Sequence, residues 1–204
     1  MGSDGTAWAW GAGGGGRLGN GNQASSTVPV RVSGLTDITA VAGGFGGGYA
    51  LRRDGTVWAW GDGSLGALGN GSTAGSAVPV RVVGLTNVTA IAAGLSTALA
   101  LRTDGTVWAW GDGSLGALGN GGTQSSAVPV QVSGLTAVRS IAAGFGTGYA
   151  VRSDGTGWAW GDGSAGQLAA GDTVCSAVPV RISGLRTITA IAAGSATAYA
   201  LGSD

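Results

Sequence analysis

Ala98-Leu99-Ala100-Leu101-Arg102-Thr103-Asp104-Gly105-Thr106-Val107-Trp108-Ala109-Trp110 is the stretch that decides the fold of this chain. Two short apolar runs flank Asp104-Gly105. Both residues tolerate positive φ, so the pair predicts a two-residue β-hairpin of the type I′ class. Upstream, Val88-Thr89-Ala90-Ile91-Ala92 alternates with period two, and Gly94 separates it from the hairpin. Further upstream, Val78-Pro79-Val80-Arg81-Val82 is another alternating run, with its proline suited to a strand start or edge. Gly84-Leu85-Thr86 is the turn between these two runs. The unit is therefore four short strands, and nothing in it has a 3.6-residue period.

The same unit occurs four times. Asp-Gly-Thr recurs at Asp4, Asp54, Asp104 and Asp154, always 50 residues apart, and Asp204 begins a fifth copy. The repeats are 4–53, 54–103, 104–153 and 154–203, forming one array over 1–204. Residues 54–103 and 104–153 differ at 14 of 50 positions. Such closeness points to recent duplication or to design. Four strands in a repeat of roughly 40–50 residues is the pattern of a propeller blade. The expected fold is all-β, a β-propeller of four-stranded blades.

Composition excludes several classes of function. The chain has ten Arg and ten Asp but no Lys, Glu or His, so its net charge is zero. It therefore has no electrostatic footprint for nucleic acid or an anionic membrane. No run approaches the roughly 18 apolar residues of a membrane span. The opening Met1-Gly2-Ser3-Asp4 lacks the features of a signal peptide. The single cysteine, Cys175, has no partner for an intrachain disulfide.

The eight tryptophans sit in four Trp-Ala-Trp triplets. Residues i and i+2 of a strand share a face, so both rings of a triplet point the same way. Each ring could bury about 150–250 Å², worth about 4–6 kcal/mol gross, which marks them as core. The loop Gly61-Asp62-Gly63-Ser64-Leu65-Gly66 lacks the Lys-Ser/Thr of a phosphate-binding loop, and no helix follows it. Asp62, Asp112 and Asp162 offer one acid per loop, well short of what calcium needs, so they read as turn residues. Without His or Glu the general bases reduce to aspartates at repeated turns, and Cys175 has no base to activate it. No enzyme, cofactor or metal site is expected. Arg52, Arg102 and Arg152 recur beside the Asp-Gly turn and are expected to pair with nearby aspartates.

Trp58-Ala59-Trp60-Gly61-Asp62, then Gly66-x-Leu68-Gly69-Asn70-Gly71, then Val78-Pro79-Val80, resembles the repeat of the regulator of chromosome condensation family, in its bacterial form. The resemblance covers essentially the whole chain and implies a ring of seven blades. It departs from the family at Gly47, Thr97, Thr147 and Thr197, where a histidine is common, and at Ala169 and Ala170, which replace an Asn-Gly turn. The founder's nucleotide exchange on a small GTPase needs a protruding insertion, and a strict 50-residue period has none. The ultraviolet receptor of this type carries a Gly-Trp-Arg-His-Thr motif that is absent here.

The chain begins inside a hairpin and ends with the matching half. Strand 5–10 is expected to pair with strand 197–201, either of the same chain or of a partner chain. Pairing within one chain closes four blades at about 90° each, and pairing between two chains closes eight at about 45°. Seven blades close at about 51°, nearer to eight, so a homodimer sharing one ring is expected, with a lone four-bladed ring or a fragment of a longer chain as the alternatives. The functional expectation is a protein-binding scaffold, with a structural propeller lacking a ligand as the alternative. Repeats differ at Asn22–Thr27, Ser72–Ala77, Gly122–Ala127 and Asp172–Ala177 and at Phe45–Tyr49 and its counterparts, and among these Asn22, Gln23, Ser72, Thr73, Gly122, Thr123, Gln124, Asp172 and Thr173 are the candidate partner-binding residues.

Overall fold

The computed structural model of the chain describes residues 5–203; Asp4 and Asp204, which open the first and fifth copies, lie outside them. Sixteen antiparallel strands form three complete four-stranded blades and two half-blades. The complete blades are β3–β6 (Ile38–Gly43, Gly47–Arg52, Val57–Gly61, Ser76–Arg81), β7–β10 (Val88–Ala93, Thr97–Arg102, Val107–Gly111, Ser126–Gln131) and β11–β14 (Val138–Ala143, Thr147–Arg152, Gly157–Gly161, Ser176–Arg181). β1 (Trp8–Gly11) pairs with β2 (Ser26–Arg31), and β15 (Ile188–Ala193) pairs with β16 (Ala198–Gly202). Blades therefore straddle the 50-residue repeats, because each Asp-Gly turn joins the second and third strands of one sheet. Among the described residues no ladder joins β1 to β16.

The Asp-Gly turn differs from the expected two-residue type I′ form. Gly55 has φ +75°, whereas Asp54 is not in the positive-φ region. Arg52 N–H donates to the Thr56 carbonyl and Gly55 N–H to the Arg52 carbonyl, each at 2.9 Å. This is a three-residue loop whose glycine makes the bulge. The cause is the Asp54 side chain. Its Oδ1 accepts from the Thr56 backbone N–H at 3.0 Å and the Thr56 hydroxyl at 2.6 Å, which holds the aspartate in an Asx turn. The same pairs recur at Asp104/Thr106 and Asp154/Thr156.

The two rings of each triplet in the complete blades share a face but differ in burial, while Trp8 and Trp10 of the first triplet, expected in the core like the rest, are both exposed. Trp110 and Trp160 are fully buried and Trp60 nearly so, with each Nε1 donating to a backbone carbonyl of the preceding blade. Trp58, Trp108 and Trp158 are half-buried, and their Nε1 atoms donate to Thr56, Thr106 and Thr156. Burying the indole N–H requires an acceptor, and the curvature of the ring supplies one from the neighbouring blade.

Beneath each blade three positions trade volume. Val57, Val82 and Val88 share one cluster, and Val107, Val132 and Val138 another. In the third blade the first position is Gly157, and Ile182 and Ile188 send their Cδ1 atoms into the space that a side chain there would occupy. The first copy pairs Ala7 with Val32 and Ile38. Carbon lost at one position returns at the others, as close packing demands.

Glycines let the blades approach. Gly66 and Gly116, at φ +81°, lie against the backbones of Ala127 and Ala177 in the next blade. Gly21, Gly71 and Gly121 donate N–H bonds across the same seam to the carbonyls of Ala77, Ala127 and Ala177, all at 2.9 Å.

Candidate partner-binding face

One end of every blade carries both the β-hairpin tip and the long loop that leads to the outermost strand. Gly61 pairs with both Gly47 and Ser76, so the tip at 44–46 and the loop 62–75 leave the sheet together. Asp62 N–H donates to the Gly46 carbonyl at 2.8 Å and ties them. The equivalent bonds hold in the next two blades, from Asp112 to Ser96 and from Asp162 to Gly146. The opposite end carries the Asp-Gly turns.

The expected binding residues lie on this face, on the loops toward its rim. Asn22, Gln23, Ser72, Thr73, Thr123, Gln124, Asp172 and Thr173 are exposed and Gly122 is half-buried. Several of their polar groups serve the loop itself. Asn22 Oδ1 accepts from Ala24 N–H, Ser72 Oγ from Ala74 N–H and Asp172 Oδ1 from Val174 N–H. Gln23 shares a cleft of about 350 Å³ with Arg17, Asp62 and Ser76. These residues sit one set per blade and form no single cluster.

The tips do converge. Phe45, Leu95, Phe145 and Ser195 surround a shallow hollow of about 250 Å³. Each tip is closed by its own backbone, as in the 2.9 Å bond from Gly44 N–H to the Gly47 carbonyl. Phe145 N–H donates to the Ser195 carbonyl at 3.0 Å, which links two neighbouring tips. Phe45 is 69% exposed and Phe145 51%, and the Arg17 guanidinium lies 5.3 Å from the centre of the Phe45 ring.

Leu65 and Leu115 were not legible as special in the sequence. They lie in the 3-10 turns Ser64–Gly66 and Ser114–Gly116 with φ +56°, and half their surface is exposed. A large apolar residue in the left-handed region is uncommon. The available signal is that Gly15 occupies the same position in the first copy.

The acidic residues behave as turn formers. Asp62 Oδ1 accepts from Ser64 N–H at 2.9 Å, and Asp112 and Asp162 repeat the arrangement with Ser114 and Ser164. The Ser64 and Ser164 backbone bonds hold the Asp62 and Asp162 carboxyls below the usual range. Among the described residues no three His, Cys, Asp or Glu side chains gather as metal ligands. Cys175 stands where other copies have Ser25 and Ser125, and its Sγ accepts weakly from Gly163 N–H as those hydroxyls do from Gly13 and Gly113. On the far end, Arg52 pairs with Asp54 at 3.6 Å and Arg102 with Asp104 at 3.7 Å. Arg152 instead bonds the Thr136 carbonyl and hydroxyl.

No curated protein sequence matches the chain. Among solved structures, human WBSCR16 superposes with a TM-score of 0.87 at 24% identity, over 99% of this chain and 54% of that one. Prp20p from Saccharomyces cerevisiae gives 0.83 at 23%, over 93% and 50%. Yeast RCC1 (Prp20) bound to Kap60 gives 0.85 at 23%, over 98% and 51%. This chain thus spans about half the length of those proteins, and the likeness shows the propeller fold. The family model for the regulator of chromosome condensation (RCC1) repeat matches residues 4–50, 54–101, 104–151 and 154–201, so the chain belongs to the RCC1 repeat family.

Proposed function

We propose that this chain is a non-enzymatic β-propeller scaffold that holds a protein partner on the face carrying the hairpin tips. The observation that supports this most is the convergence of Phe45, Leu95 and Phe145 around one hollow otherwise lined by Ala, Gly and Ser. Exposed aromatic side chains on rigid hairpins are the usual anchors of protein interfaces. The polar loops at Asn22–Gln23, Ser72–Thr73, Gly122–Gln124 and Asp172–Thr173 would form the rim around them. The analogy with Prp20p, described with Gsp1p and histones, and with yeast RCC1 bound to Kap60, favours a protein as the partner. Self-association as a homodimer is part of the same reading.

Affinity capture from the source cells tests it. A stoichiometric protein partner is expected, with Phe45→Ala plus Phe145→Ala weakening capture at least tenfold. A partner retained by that double variant and lost on substitution of Gln23, Thr73 and Thr123 would move the interface to the rim. Absence of any partner favours a structural propeller without a ligand, which the near-identity of the repeats also suits. Nucleotide exchange on a small GTPase is the least supported reading, because the strict period leaves no wedge to insert.

A further inference from the structure

We propose that the partner held on the tip-bearing face presents an arginine, which lies on the Phe145 ring with its guanidinium toward the Asp162 carboxylate. This names the chemistry of the partner and rests on the scaffold reading.

The chain builds such an arrangement once for itself. The Arg17 guanidinium lies 5.3 Å from the centre of the Phe45 ring. It shares a cleft with Asp62, whose N–H is tied to the Gly46 carbonyl beside that ring. Bonds from Ser64 hold the Asp62 carboxyl low, and the charge of Arg17 adds to them. Cation, ring and carboxylate thus meet where two blades abut. Moved 50 residues along the chain, the trio becomes Ala67, Leu95 and Asp112, so both cation and ring are lost. Moved 100 residues, it becomes Ala117, Phe145 and Asp162. Here the ring and the carboxylate return, and only the guanidinium does not.

Both remaining groups are placed to receive a cation. Half of the Phe145 surface is exposed, and the bond from its N–H to the Ser195 carbonyl fixes the tip that carries it. Asp162 N–H donates to the Gly146 carbonyl at 3.0 Å, which holds the acidic loop against that same tip. Its Oδ1 accepts from Ser164 N–H at 2.9 Å, and this bond above all keeps the carboxyl ionised at neutral pH. Among the described residues no guanidinium pairs with Asp162: the ion pairs join Arg52 to Asp37 and Asp54, and Arg102 to Asp104. The hollow of about 250 Å³ beside Phe145 has room for the methylene stem of the incoming side chain, which is apolar enough to lie against Phe145 and Leu95.

Charge selects a basic partner. Among the described residues, the tip-bearing end of the blades holds Asp62, Asp112, Asp162 and Asp172 against Arg17 alone. Arg31, Arg52, Arg81, Arg102, Arg152 and Arg181 are the last residues of their strands at the opposite end. Arg53, Arg139 and Arg186 stand at that end too. A chain of zero net charge is therefore negative on the face that carries the exposed rings. Such a face draws a basic segment and repels an acidic one. Arginine suits the place better than lysine, because its planar head stacks on an aromatic ring while its edge still offers donors to a carboxylate.

Fluorescence anisotropy of a labelled hexapeptide of alternating leucine and arginine, mixed with the whole chain, tests the proposal. The comparison is the same peptide with citrulline, the neutral isostere, in place of arginine. The arginine peptide should bind about tenfold more tightly at low salt, and most of that margin should vanish in about 1 M salt. Phe145→Ala and Asp162→Asn should each weaken it about fivefold, whereas Asp154→Asn, the same change at the opposite end, should have no effect. Ala117→Arg supplies the guanidinium from within and should also weaken the peptide about fivefold, with Phe145→Ala and Asp162→Asn keeping the test decisive should that variant not fold. Equal binding of the two peptides, or arginine binding indifferent to Phe145 and Asp162, would overturn the proposal. A cellular partner captured through Phe45 and Phe145 that the arginine peptide does not displace would overturn it too, and would leave the scaffold reading standing. Absence of any captured partner would instead remove the scaffold reading and the proposal with it.

Discussion

Tyr49 and Trp110, from adjacent blades, meet on a single carbonyl: Tyr49 Oη lies 2.7 Å and Trp110 Nε1 3.0 Å from the Ala67 oxygen, with the rings edge-on at 6.0 Å and 70°. Two buried donors thus share one acceptor at a seam between sheets that have no backbone ladder to join them. Tyr49→Phe keeps the ring and removes one bond, and should cost about 1 kcal/mol in urea denaturation. Leu99, which stands in the tyrosine's place in the second blade, serves as the internal control.

Gly69 has φ +61°, and a Cβ there would stand 2.8 Å from Trp110 Cδ1. Gly69→Ala combines the left-handed cost of about 1–2 kcal/mol with overpacking of about 1–3 kcal/mol. Gly71 has φ +86° and open space around it, so Gly71→Ala should show the backbone cost alone. Comparing the two denaturation midpoints separates packing from backbone strain.

Asp37, Asn87 and Ala137 share one left-handed position, with φ between 54° and 58°. Asp and Asn tolerate that region through local hydrogen bonding and Ala does not. Ala137→Asn should raise stability by about 0.5–1 kcal/mol, seen as a higher melting temperature without change in circular dichroism.

Gly157→Val alone should destabilise by about 1–3 kcal/mol, because Ile182 and Ile188 already fill its space. Adding Ile182→Val and Ile188→Val recreates the trio of the first two complete blades and should restore most of the loss. Purely additive energies in this series would refute the traded volume.

Stability should be flat from about pH 5 to pH 9, since the chain has no His or Glu. Asp54, Asp104 and Asp154 are held low by the Thr56, Thr106 and Thr156 hydroxyls. A depressed folded pKa gives stability above the unfolded value of about 3.9 that is lost as the pH falls through the folded one. Burial pushes the Tyr49 and Tyr149 hydroxyls up. A raised tyrosine favours the fold below about pH 10, and that support is lost as the pH rises further. Melting temperature across pH 2–11 checks both limbs.

Strand positions and the four-strand unit were legible because each depends on neighbours within a few residues: period-two alternation, glycine punctuation and an exact repeat; of the eight tryptophans expected in the core, only Trp60, Trp110 and Trp160 are buried. The Asp54 turn was misread because its form depends on whether a side chain or the backbone alone satisfies the Thr56 N–H. The candidate loops were legible as variable, and the structure places them on the tip-bearing face. The gathering of Phe45, Leu95 and Phe145 was not, since those residues lie 50 positions apart and meet only because blades fan around an axis.

Sequence alone determined that this chain is a run of propeller blades, because a repeat that cannot bury its own face must stack on copies of itself. Tertiary structure alone decided which tryptophan of each pair in the complete blades is buried, how neighbouring blades share an acceptor, and that sheets are cut across the repeats. Those features depend on the curvature between blades, and the step from one sheet to the next is written in no single repeat.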